Sequence, residues 1–187
     1  MDSFKSSYKE NNFDQIFKTI CQTIEPMSIL EIGILDGYSL KSFLSHTSKE
    51  CKILAVDLFE DYKYKNSNYE VIKNKFLDNK NVEIEYGNFF NQHLKKNDYD
   101  LIHIDISNDG EIFKFAIENY LPITNKIMIL EGGSEERDNV EWMVKYKKPK
   151  INSFLQTIKD NYRYQIVEKF PSITIFYKDE QTALINI

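Results

Sequence analysis

The feature that most constrains this chain is a regular alternation of short β-rich runs with amphipathic segments. Seven runs are predicted to be strands: Ser28–Ile32, Lys52–Asp57, Val82–Tyr86, Tyr99–Asp105, Lys126–Glu131, Tyr164–Phe170 and Ile173–Tyr177. The spacing of apolar residues predicts helices over Phe13–Ile24, Tyr38–His46, Tyr69–Leu77, Gly110–Tyr120 and Ile151–Ile158. Such alternation predicts a doubly wound α/β fold, in which helices cover both faces of a mainly parallel sheet.

The last two predicted strands break this alternation. Only Pro171 and Ser172 separate them, which is too short for a crossover helix, so they are predicted to form an antiparallel hairpin. The fold class is therefore α/β, with a mainly parallel seven-stranded sheet and a C-terminal antiparallel hairpin. The 187 residues fit one domain, 1–187, with a helical N-terminal segment over 1–27. The apolar residues of Phe4–Ile24 could supply a homodimer contact.

Charge and composition exclude several classes of protein. Lysine and arginine number 24 against 29 aspartates and glutamates, a net charge of −5 that does not favour nucleic acid as a partner. No apolar run is long enough to cross a membrane, and the N-terminus does not resemble a signal peptide. The two cysteines, Cys21 and Cys51, have no metal-type spacing. We therefore expect a cytoplasmic protein without a membrane or nucleic-acid partner.

The sharpest motif follows the first predicted strand and reads EIGILDGYS from Glu31 to Ser39. Its two glycines allow a ligand close to the backbone, and the helix that begins after Gly37 offers free N–H groups to a carboxylate. The segment resembles motif I of class I S-adenosylmethionine-dependent methyltransferases, E-x-G-x-x-x-G-x-S. The resemblance implies that Glu31, Gly33 and Gly37 line an S-adenosylmethionine site, with Asp36 and Ser39 at its rim.

Two later turns complete the predicted cofactor site. Asp57 ends the second strand 20 residues beyond Gly37, where an acid can accept hydrogen bonds from both ribose hydroxyls. Leu58 and Phe59 follow and are placed to flank the adenine. The turn after the third strand carries Asn88, which the resemblance assigns to the adenine edge. Ordinary turn or capping roles remain open for Asp57 and Asn88.

The end of the fourth strand, HID, resembles small O-methyltransferases of the macrocin and cephamycin tailoring type. In those relatives this strand ends in D-G-D-H and the next in D-D, and these residues bind a divalent metal. Here Asp105 is retained, but Asn108 stands where the histidine would be, and the fifth strand ends in Glu131 followed by glycine. No metal ligand is therefore assigned, although Asp109 together with Glu131 could restore a carboxylate site.

The candidate catalytic residues are Asp105, Glu131 and His103. Methyl transfer requires an aligned nucleophile and the removal of its proton, and these side chains lie at or near the ends of strands four and five. Asp105 is also assigned to the cofactor site. His103 precedes Asp105 by two residues, so both side chains are predicted to lie on one face of the strand. A hydrogen-bonded core role for His103 remains open.

Two further segments could contact the acceptor. The charged segment Glu131–Asp138 could bind a charged or hydroxylated molecule, although a solvated loop is an equal alternative. Trp142, beside the basic run Lys145–Lys148, could form a lid or bind a phosphate or sugar. The alternative is a helix that Trp142 packs against the core, with the lysines in solvent.

The predicted activity is methyl transfer from S-adenosylmethionine to a small polar acceptor. A hydroxyl of a sugar, sugar nucleotide or tailoring intermediate is favoured, because the fold uses most of the chain and leaves no large recognition domain. An NAD-dependent oxidoreductase is one alternative, but Leu35 stands where the G-x-G-x-x-G fingerprint needs its second glycine. A non-catalytic, methyltransferase-like binding protein is the other.

Overall fold

A computed structural model describes residues 6–63, 67–95 and 97–187. The strands are β1 (Ser28–Ile32), β2 (Lys52–Asp57), β3 (Val82–Tyr86), β4 (Tyr99–Ile104), β5 (Thr124–Glu131), β6 (Tyr164–Val167) and β7 (Ile173–Tyr177). The α-helices are α1 (Ser7–Glu10), α2 (Asp14–Ile24), α3 (Tyr38–His46), α4 (Tyr69–Lys75), α5 (Phe89–Gln92), α6 (Gly110–Asn119), α7 (Glu135–Asp138), α8 (Glu141–Lys145) and α9 (Ile151–Ile158). Short 3₁₀ turns span Phe59–Asp61, His93–Lys95 and Leu121–Ile123.

The seven strands form one sheet in the order β3-β2-β1-β4-β5-β7-β6. The first five strands are parallel to one another, and β7 runs antiparallel to both β5 and β6. The predicted fold class is therefore confirmed, including the antiparallel pair at the C-terminal end. The strand order reverses between β1 and β4, which is the position where ligands bind in open α/β sheets.

Alternate residues of each central strand enter two separate cores. Ile29 of β1 and Leu101 of β4 belong to the core beneath α2 and α3, which we call the N-terminal face. Leu30 and Ile102, one position further along each strand, belong to the core beneath α6 and α9, which we call the opposite face. Both faces of the central strands are buried, as the near-continuous apolar runs of parallel strands predict.

The N-terminal segment is part of the core. Phe13 and Phe17 are fully buried on the N-terminal face, and burial of such a side chain contributes about 1.5–3 kcal/mol. Helix α2 ends at Ile24. Its C-cap residue, Glu25, has a left-handed φ of 46°, and Pro26 follows. The suggested dimer contact through Phe4–Ile24 is wrong for the described residues, because their large apolar side chains are buried within the chain. Phe4 lies outside the described residues.

The structure corrects several predicted boundaries. Strand β4 ends at Ile104, so Asp105 already belongs to the following loop. Strand β6 ends at Val167, which pairs with Ile173, so five residues rather than two connect the hairpin. That connection bends through a cis Phe170–Pro171 peptide and a left-handed Ser172. Helices of four or five residues were not predicted, because so short a segment shows no helical period.

Among the described helices, none is long and apolar enough to cross a membrane. Both cysteines are buried with free thiols, as expected for small apolar side chains.

Candidate functional site

Four acidic residues lie at the carboxyl ends of neighbouring strands. Glu31 of β1, Asp57 of β2 and Glu131 of β5 lie within the last two positions of their strands, and Asp105 follows β4 directly. The strands β2, β1, β4 and β5 lie side by side and run parallel. Their carboxyl ends, which carry these acids, therefore lie along one edge of the sheet. The predicted site residues are therefore brought to the edge where a ligand is expected.

The loop between β1 and α3 is held in place by the carboxylate of Asp57. One oxygen, Oδ2, accepts hydrogen bonds from the backbone N–H of Ile34 at 2.7 Å and of Leu35 at 3.2 Å. The other, Oδ1, accepts from the N–H of Phe59 at 2.9 Å. Asp57 was predicted to bind ribose, and the structure adds a second role, since its carboxylate fixes the loop that carries motif I.

Glycine is required at position 33 by both conformation and space. Its φ of +89° is one that L-residues rarely adopt, and a Cβ built there would lie 1.9 Å from the backbone carbonyl oxygen of Asp105. The motif I loop therefore packs directly on the chain that leaves β4. This contact brings the predicted cofactor loop and the predicted base Asp105 to one place.

A polar chain runs beneath this loop on the N-terminal face. The hydroxyl of Ser39 donates to Oε1 of Glu31, and Nδ1 of His103 lies 3.4 Å from the same oxygen. On the far side of the imidazole, Nε2 of His103 lies 3.4 Å from the hydroxyl of Tyr8. Glu31, Ser39, His103 and Tyr8 are all buried. Glu31 and Ser39 therefore support the loop from below rather than lining an open surface.

His103 is enclosed by aromatic rings. The centroids of Tyr8, Phe17 and Phe43 lie 5.9, 5.7 and 5.3 Å from the centroid of its imidazole. The side chain is fully buried, which matches the core role that the sequence left open. His103 therefore presents no surface to a ligand, and its Nε2 lies next to the hydroxyl of Tyr8.

The residues predicted to surround adenine differ in accessibility. Leu58 is half-buried, whereas Phe59 is fully buried and packs edge-on against Tyr69 and Tyr86. Asn88 is exposed, and its side chain caps α5 by accepting from the N–H of Phe90 at 2.9 Å. Leu58 and Asn88 are thus the residues of this set that present surface to a ligand, while Phe59 shapes the core beneath them.

Asp105 is half-buried in a cluster of charged groups. Burial raises its pKa to about 7, the negative charge of Glu131 acts in the same direction, and His103 and Arg137 oppose the rise. The pKa of Tyr8 is also raised, first by burial and then by the negative charge of Asp105. Asp105 can therefore exchange a proton near neutral pH, as a general base requires.

Glu131 is engaged by Arg137. Both carboxylate oxygens of Glu131 accept hydrogen bonds from the guanidinium, Oε1 from Nε and Oε2 from Nη2 at 2.8 Å. Burial raises the pKa of Glu131, and this bidentate contact acts in the opposite direction. Burial lowers the pKa of Arg137, but its hydrogen bonds to Glu131 and the charge of that carboxylate outweigh burial and raise the pKa, so the guanidinium stays charged. Glu131 is therefore an ion-pair partner first and a candidate base second.

The charged segment Glu131–Asp138 is not a solvated loop. Ser134, Arg137 and Asp138 are buried, and the hydroxyl of Ser134 accepts from the N–H of Arg137 at 3.2 Å. The carboxylate of Asp138 caps α9 by accepting from the N–H of Ile151 and of the next residue, both at 2.8 Å. The solvated-loop alternative is wrong because this segment anchors α9 and places Arg137 at the sheet edge.

Trp142 covers the ion pair. The guanidinium carbon of Arg137 lies 5.0 Å from the centroid of the Trp142 ring, a cation–π contact. In the neighbouring basic run, Lys148 pairs with Asp109 at 2.8 Å, and Lys145 lies over the ring of Tyr146. Trp142 thus packs on Arg137, and the indole is placed as a cover over this part of the site.

The donor set does not fit a divalent metal. The oxygens of Glu131 are held by Arg137, and Asp109 caps α6 with Oδ1 while Oδ2 binds Lys148. The alternative carboxylate site of Asp109 and Glu131 is therefore wrong. Within the described ranges, no three His, Cys, Asp or Glu side chains are grouped as metal ligands. Asn108 donates from Nδ2 to the carbonyls of Ile104 and Glu131, at 3.1 and 2.8 Å.

A cavity of about 410 Å³ lies elsewhere, between the N-terminal helices and α3. Asp14 at its wall accepts from the Ser42 hydroxyl at 2.7 Å and lies 3.0 Å from Nε2 of His46. None of the predicted site residues lines this cavity, and its polar groups join α2 to α3. The site at the strand ends therefore rests on side-chain chemistry rather than on this cavity.

Sequence reasoning missed two residues of the site, Tyr8 and Arg137. Tyr8 lies in a short helix far from every motif, and its approach to His103 spans 95 residues of chain. One sequence feature could have pointed to Arg137 as a site residue: it is one of only two arginines in the sequence, and it directly follows the acidic pair 135–136. Its partner could not be read from spacing, because the pairing depends on the turn that begins α7.

Comparison with known proteins gives the family of the fold. No protein-family model and no curated protein sequence matches this chain. Among solved structures, a Staphylococcus aureus protein provisionally named a caffeoyl-CoA O-methyltransferase is similar with a TM-score of 0.67 and 20% identity, over 95% of this chain and 86% of that one. An O-methyltransferase from Bacillus cereus, solved with S-adenosylhomocysteine, is similar with a TM-score of 0.62 and 16% identity, over 94% of this chain and 84% of that one.

A third similar structure is also an O-methyltransferase. The O-methyltransferase TomG from Streptomyces achromogenes, involved in tomaymycin synthesis and solved with S-adenosylmethionine, is similar with a TM-score of 0.60 and 11% identity. The likeness covers 91% of this chain and 85% of that one. Together with the sheet order and the antiparallel β5-β7-β6 end, these likenesses show that the chain has the fold of class I S-adenosylmethionine-dependent methyltransferases.

Proposed function

We propose that this chain transfers a methyl group from S-adenosylmethionine to a hydroxyl of a small polar acceptor. The observation that carries the proposal is the contact between Gly33 of motif I and the backbone of Asp105, where a Cβ would lie 1.9 Å from the carbonyl oxygen. The cofactor loop and the candidate base are thereby adjacent. The similar structures solved with S-adenosylhomocysteine or S-adenosylmethionine support this choice of cofactor.

The residues of the β1 and β2 ends fit the cofactor. Gly33 and Gly37 give the loop its left-handed turns and its close packing on Asp105 and Phe76, and the start of α3 supplies N–H groups for a carboxylate. A carboxylate has roughly four acceptor positions. Three N–H groups already use the carboxylate of Asp57, which leaves room to bind one ribose hydroxyl rather than two. Leu58 and Asn88 are placed to contact adenine.

The residues of the β4 and β5 ends fit a hydroxyl acceptor. When bound, S-adenosylmethionine supplies an electrophilic methyl group on a sulfonium. Asp105, with a pKa of about 7, accepts the proton of the acceptor hydroxyl. Nη1 of Arg137 is buried and has no hydrogen-bond partner, so it can donate to the same oxygen as negative charge develops there.

Tyr8 and His103 act as positioning residues in this scheme. The imidazole lies between Glu31 and the hydroxyl of Tyr8, at 3.4 Å from each. This arrangement fixes the orientation of Tyr8 beside the charged cluster that includes Asp105. The predicted role of His103 as a base is therefore replaced in the proposal by an orienting role.

Two arguments support the proposed class of acceptor: the charged groups of the site, and the resemblance of the chain to small O-methyltransferases. A hydroxyl of a sugar, sugar nucleotide or tailoring intermediate suits a site with one base and one buried cation. The named activities of the similar structures, toward caffeoyl-CoA and in tomaymycin synthesis, indicate that this fold serves unrelated acceptors. We also propose that residues 1–187 act as a single domain, and that neither nucleic acid nor a membrane is a partner.

Calorimetric titration with S-adenosylmethionine, S-adenosylhomocysteine and NAD tests the cofactor. We expect the first two to bind and NAD not to bind. The variant Asp57→Asn should weaken S-adenosylhomocysteine binding about 10-fold or more, because it removes a charge-assisted hydrogen bond and loosens the loop. Asp61→Asn is the matched control, since Asp61 is an exposed acid in the adjoining 3₁₀ turn.

The other outcomes are equally informative. NAD binding without S-adenosylmethionine binding would show an oxidoreductase, and binding of neither ligand would favour a non-catalytic protein. Once cofactor binding is established, a panel of hydroxyl compounds screened by release of S-adenosylhomocysteine identifies the acceptor. Unchanged binding in Asp57→Asn would remove that residue from the cofactor site.

A further inference from the structure

The guanidinium of Arg137 lies at the centre of the acidic cluster. Its Nε and Nη2 bind the two oxygens of Glu131, and Nη2 also lies 3.5 Å from the carbonyl oxygen of Asn108. Trp142 covers the guanidinium, and Arg137 is only 5% exposed. Arg137 also lowers the pKa of Asp105, so its charge acts on both acids of the β4 and β5 ends.

Two further side chains with hard oxygens belong to this cluster, because the Asn108 amide reaches the backbone of Glu131 and the charges of Glu131 and Arg137 act on the carboxylate of Asp105. Oδ1 of Asn108 is buried without a hydrogen-bond partner, while Nδ2 of the same amide is fixed by two backbone carbonyls. That fixation aims the amide oxygen away from those carbonyls. Without Arg137, the carboxylates of Asp105 and Glu131 and the amide oxygen of Asn108 would form an uncompensated set of oxygen atoms. Magnesium and manganese prefer such oxygen donors.

We propose that Arg137 is a built-in substitute for a divalent cation at this edge of the sheet. The guanidinium supplies the positive charge that Asp105 and Glu131 would otherwise take from a metal ion, and it occupies the two Glu131 oxygens that would bind one. Removal of the guanidinium converts Asp105, Asn108 and Glu131 into a divalent-cation site. This inference does not depend on the proposed methyl transfer, because it concerns the charge balance of the apoprotein.

The 187-residue chain is titrated with Mn²⁺. Electron paramagnetic resonance follows Mn²⁺ binding, and the thermal midpoint of the protein is recorded at each concentration. The wild-type protein should bind no Mn²⁺ at this site, and neither Mn²⁺ nor EDTA should change its midpoint. Arg137→Met should lower the midpoint, bind one Mn²⁺ at least 10-fold more tightly than the wild type, and recover stability as Mn²⁺ is added. Adding Glu131→Gln to Arg137→Met should abolish the gain.

Arg163→Met is the matched control. Arg163 is the other arginine, it also lies over an aromatic ring, at 4.8 Å from Tyr177, and its hydrogen bonds go to the backbone carbonyls of Asp179 and Thr182. Its removal takes away a guanidinium without freeing a carboxylate pair. We therefore expect no gain of Mn²⁺ binding in Arg163→Met.

Two results would overturn the inference. The first is Mn²⁺ binding by the wild-type protein that is lost in Glu131→Gln, because the acids would then take a metal despite Arg137. The second is an Arg137→Met variant without tighter Mn²⁺ binding. If this variant is unfolded alone, its circular dichroism is compared with and without Mn²⁺; refolding with Mn²⁺ supports the inference, and a chain that stays unfolded contradicts it. Titration of the wild type with S-adenosylhomocysteine tests the cofactor separately.

Discussion

The two halves of the functional edge are built by opposite means. At the ends of β1 and β2, the carboxylate of Asp57 binds backbone N–H groups and holds a glycine loop. At the ends of β4 and β5, charged side chains bind one another, with Glu131 and Arg137 paired and buried beneath Trp142. The first half is a backbone site, and the second is a side-chain site.

This difference predicts different responses to substitution. A backbone site tolerates many side chains but fails when the chain cannot adopt the required φ and ψ angles. A buried site of paired charges keeps its shape only while the charges balance, since an unpaired buried charge is costly. Changes at β4 and β5 should therefore alter chemistry and pH dependence, whereas changes in the motif I loop should alter stability and cofactor binding together.

The largest expected effect is a loss of catalytic rate when the half of the site at β4 and β5 is changed. Asp105→Asn should lower kcat for the proposed methyl transfer about 10²–10⁴-fold, because it removes the proposed general base. Binding of S-adenosylhomocysteine should change little, since the backbone carbonyl that packs on Gly33 is retained. Steady-state kinetics and calorimetry measure the two quantities. Asp98→Asn, an exposed acid near the other end of the same strand, is the control. An unchanged kcat would remove Asp105 from the chemistry.

The next effect concerns the backbone half. Gly33→Ala places a Cβ against the carbonyl oxygen of Asp105 at a φ of +89°, so we expect a loss of about 2–4 kcal/mol in the free energy of unfolding. Cofactor binding should fall with it. Urea denaturation and calorimetry provide the measurements. Gly110→Ala is the comparison variant and should lose less stability, because its Cβ would crowd Pro149 and Lys150 only at 3.1–3.3 Å, which a small shift relieves, and its φ is not left-handed. A stable Gly33→Ala variant would show that the loop is not fixed as described.

The same division explains what the sequence could predict. The strands β1, β2, β3 and β7 and the helices α3 and α9 were predicted to the residue, because their apolar patterns are local and their ends carry glycine or charged residues. The closeness of the motif I loop to Asp57 could be predicted for the same reason, since both lie within residues 31–57 and their spacing is fixed by one β-α-β unit.

The side-chain half could not be read in this way. Arg137 meets Glu131 only because Ser134 begins a short helix, and Tyr8 meets His103 only because α1 and α2 fold back over the sheet. Neither contact leaves a periodic pattern in the sequence. The residue types were visible, but their partners were not, so the segment Glu131–Asp138 could be interpreted equally as a solvated loop.

A third prediction concerns the pH dependence of stability. The carboxyl of Asp105 ordinarily titrates near 3.8, and in the folded chain its pKa is about 7. Between pH 3.8 and pH 7, Asp105 keeps its proton in the folded state but has lost it in the unfolded chain. Its contribution to the free energy of unfolding therefore falls as the pH rises and stops changing above about pH 7. Asp105→Asn cannot lose that proton. Relative to the wild type, the variant should therefore gain stability from pH 5 to pH 8, by about 2 kcal/mol after allowance for partial exposure.

Urea denaturation at pH 5, 6, 7 and 8 measures this difference. The gap between Asp105→Asn and the wild type should widen up to about pH 7 and then stay constant. Asp98→Asn should follow the wild type throughout, because Asp98 is exposed. A gap that does not change with pH would mean that Asp105 keeps an ordinary pKa, and the side-chain half would lose its base near neutral pH.

The smallest expected effect compares two buried tyrosines on the two faces of the sheet. On the N-terminal face, the hydroxyl of Tyr8 lies 3.4 Å from Nε2 of His103. On the opposite face, the hydroxyl of Tyr120 donates to the backbone carbonyl of Phe89. Replacing either by phenylalanine should cost about 0.5–1.5 kcal/mol of stability, since each loses one buried hydrogen bond.

Catalysis should distinguish the two tyrosines. Tyr8 belongs to the charged cluster of Asp105, Glu131 and Glu31, so Tyr8→Phe should lower kcat about 3- to 10-fold, a change of about 1 kcal/mol in the barrier. Tyr120→Phe should leave kcat within about 2-fold of the wild type, because no site residue contacts its hydroxyl in the described part of the chain. Equal kinetic effects in both variants would mean that Tyr8 serves only the core. Tyr8 and its N-terminal helix would then lie outside the side-chain half, and Asp105 would be its first residue along the chain.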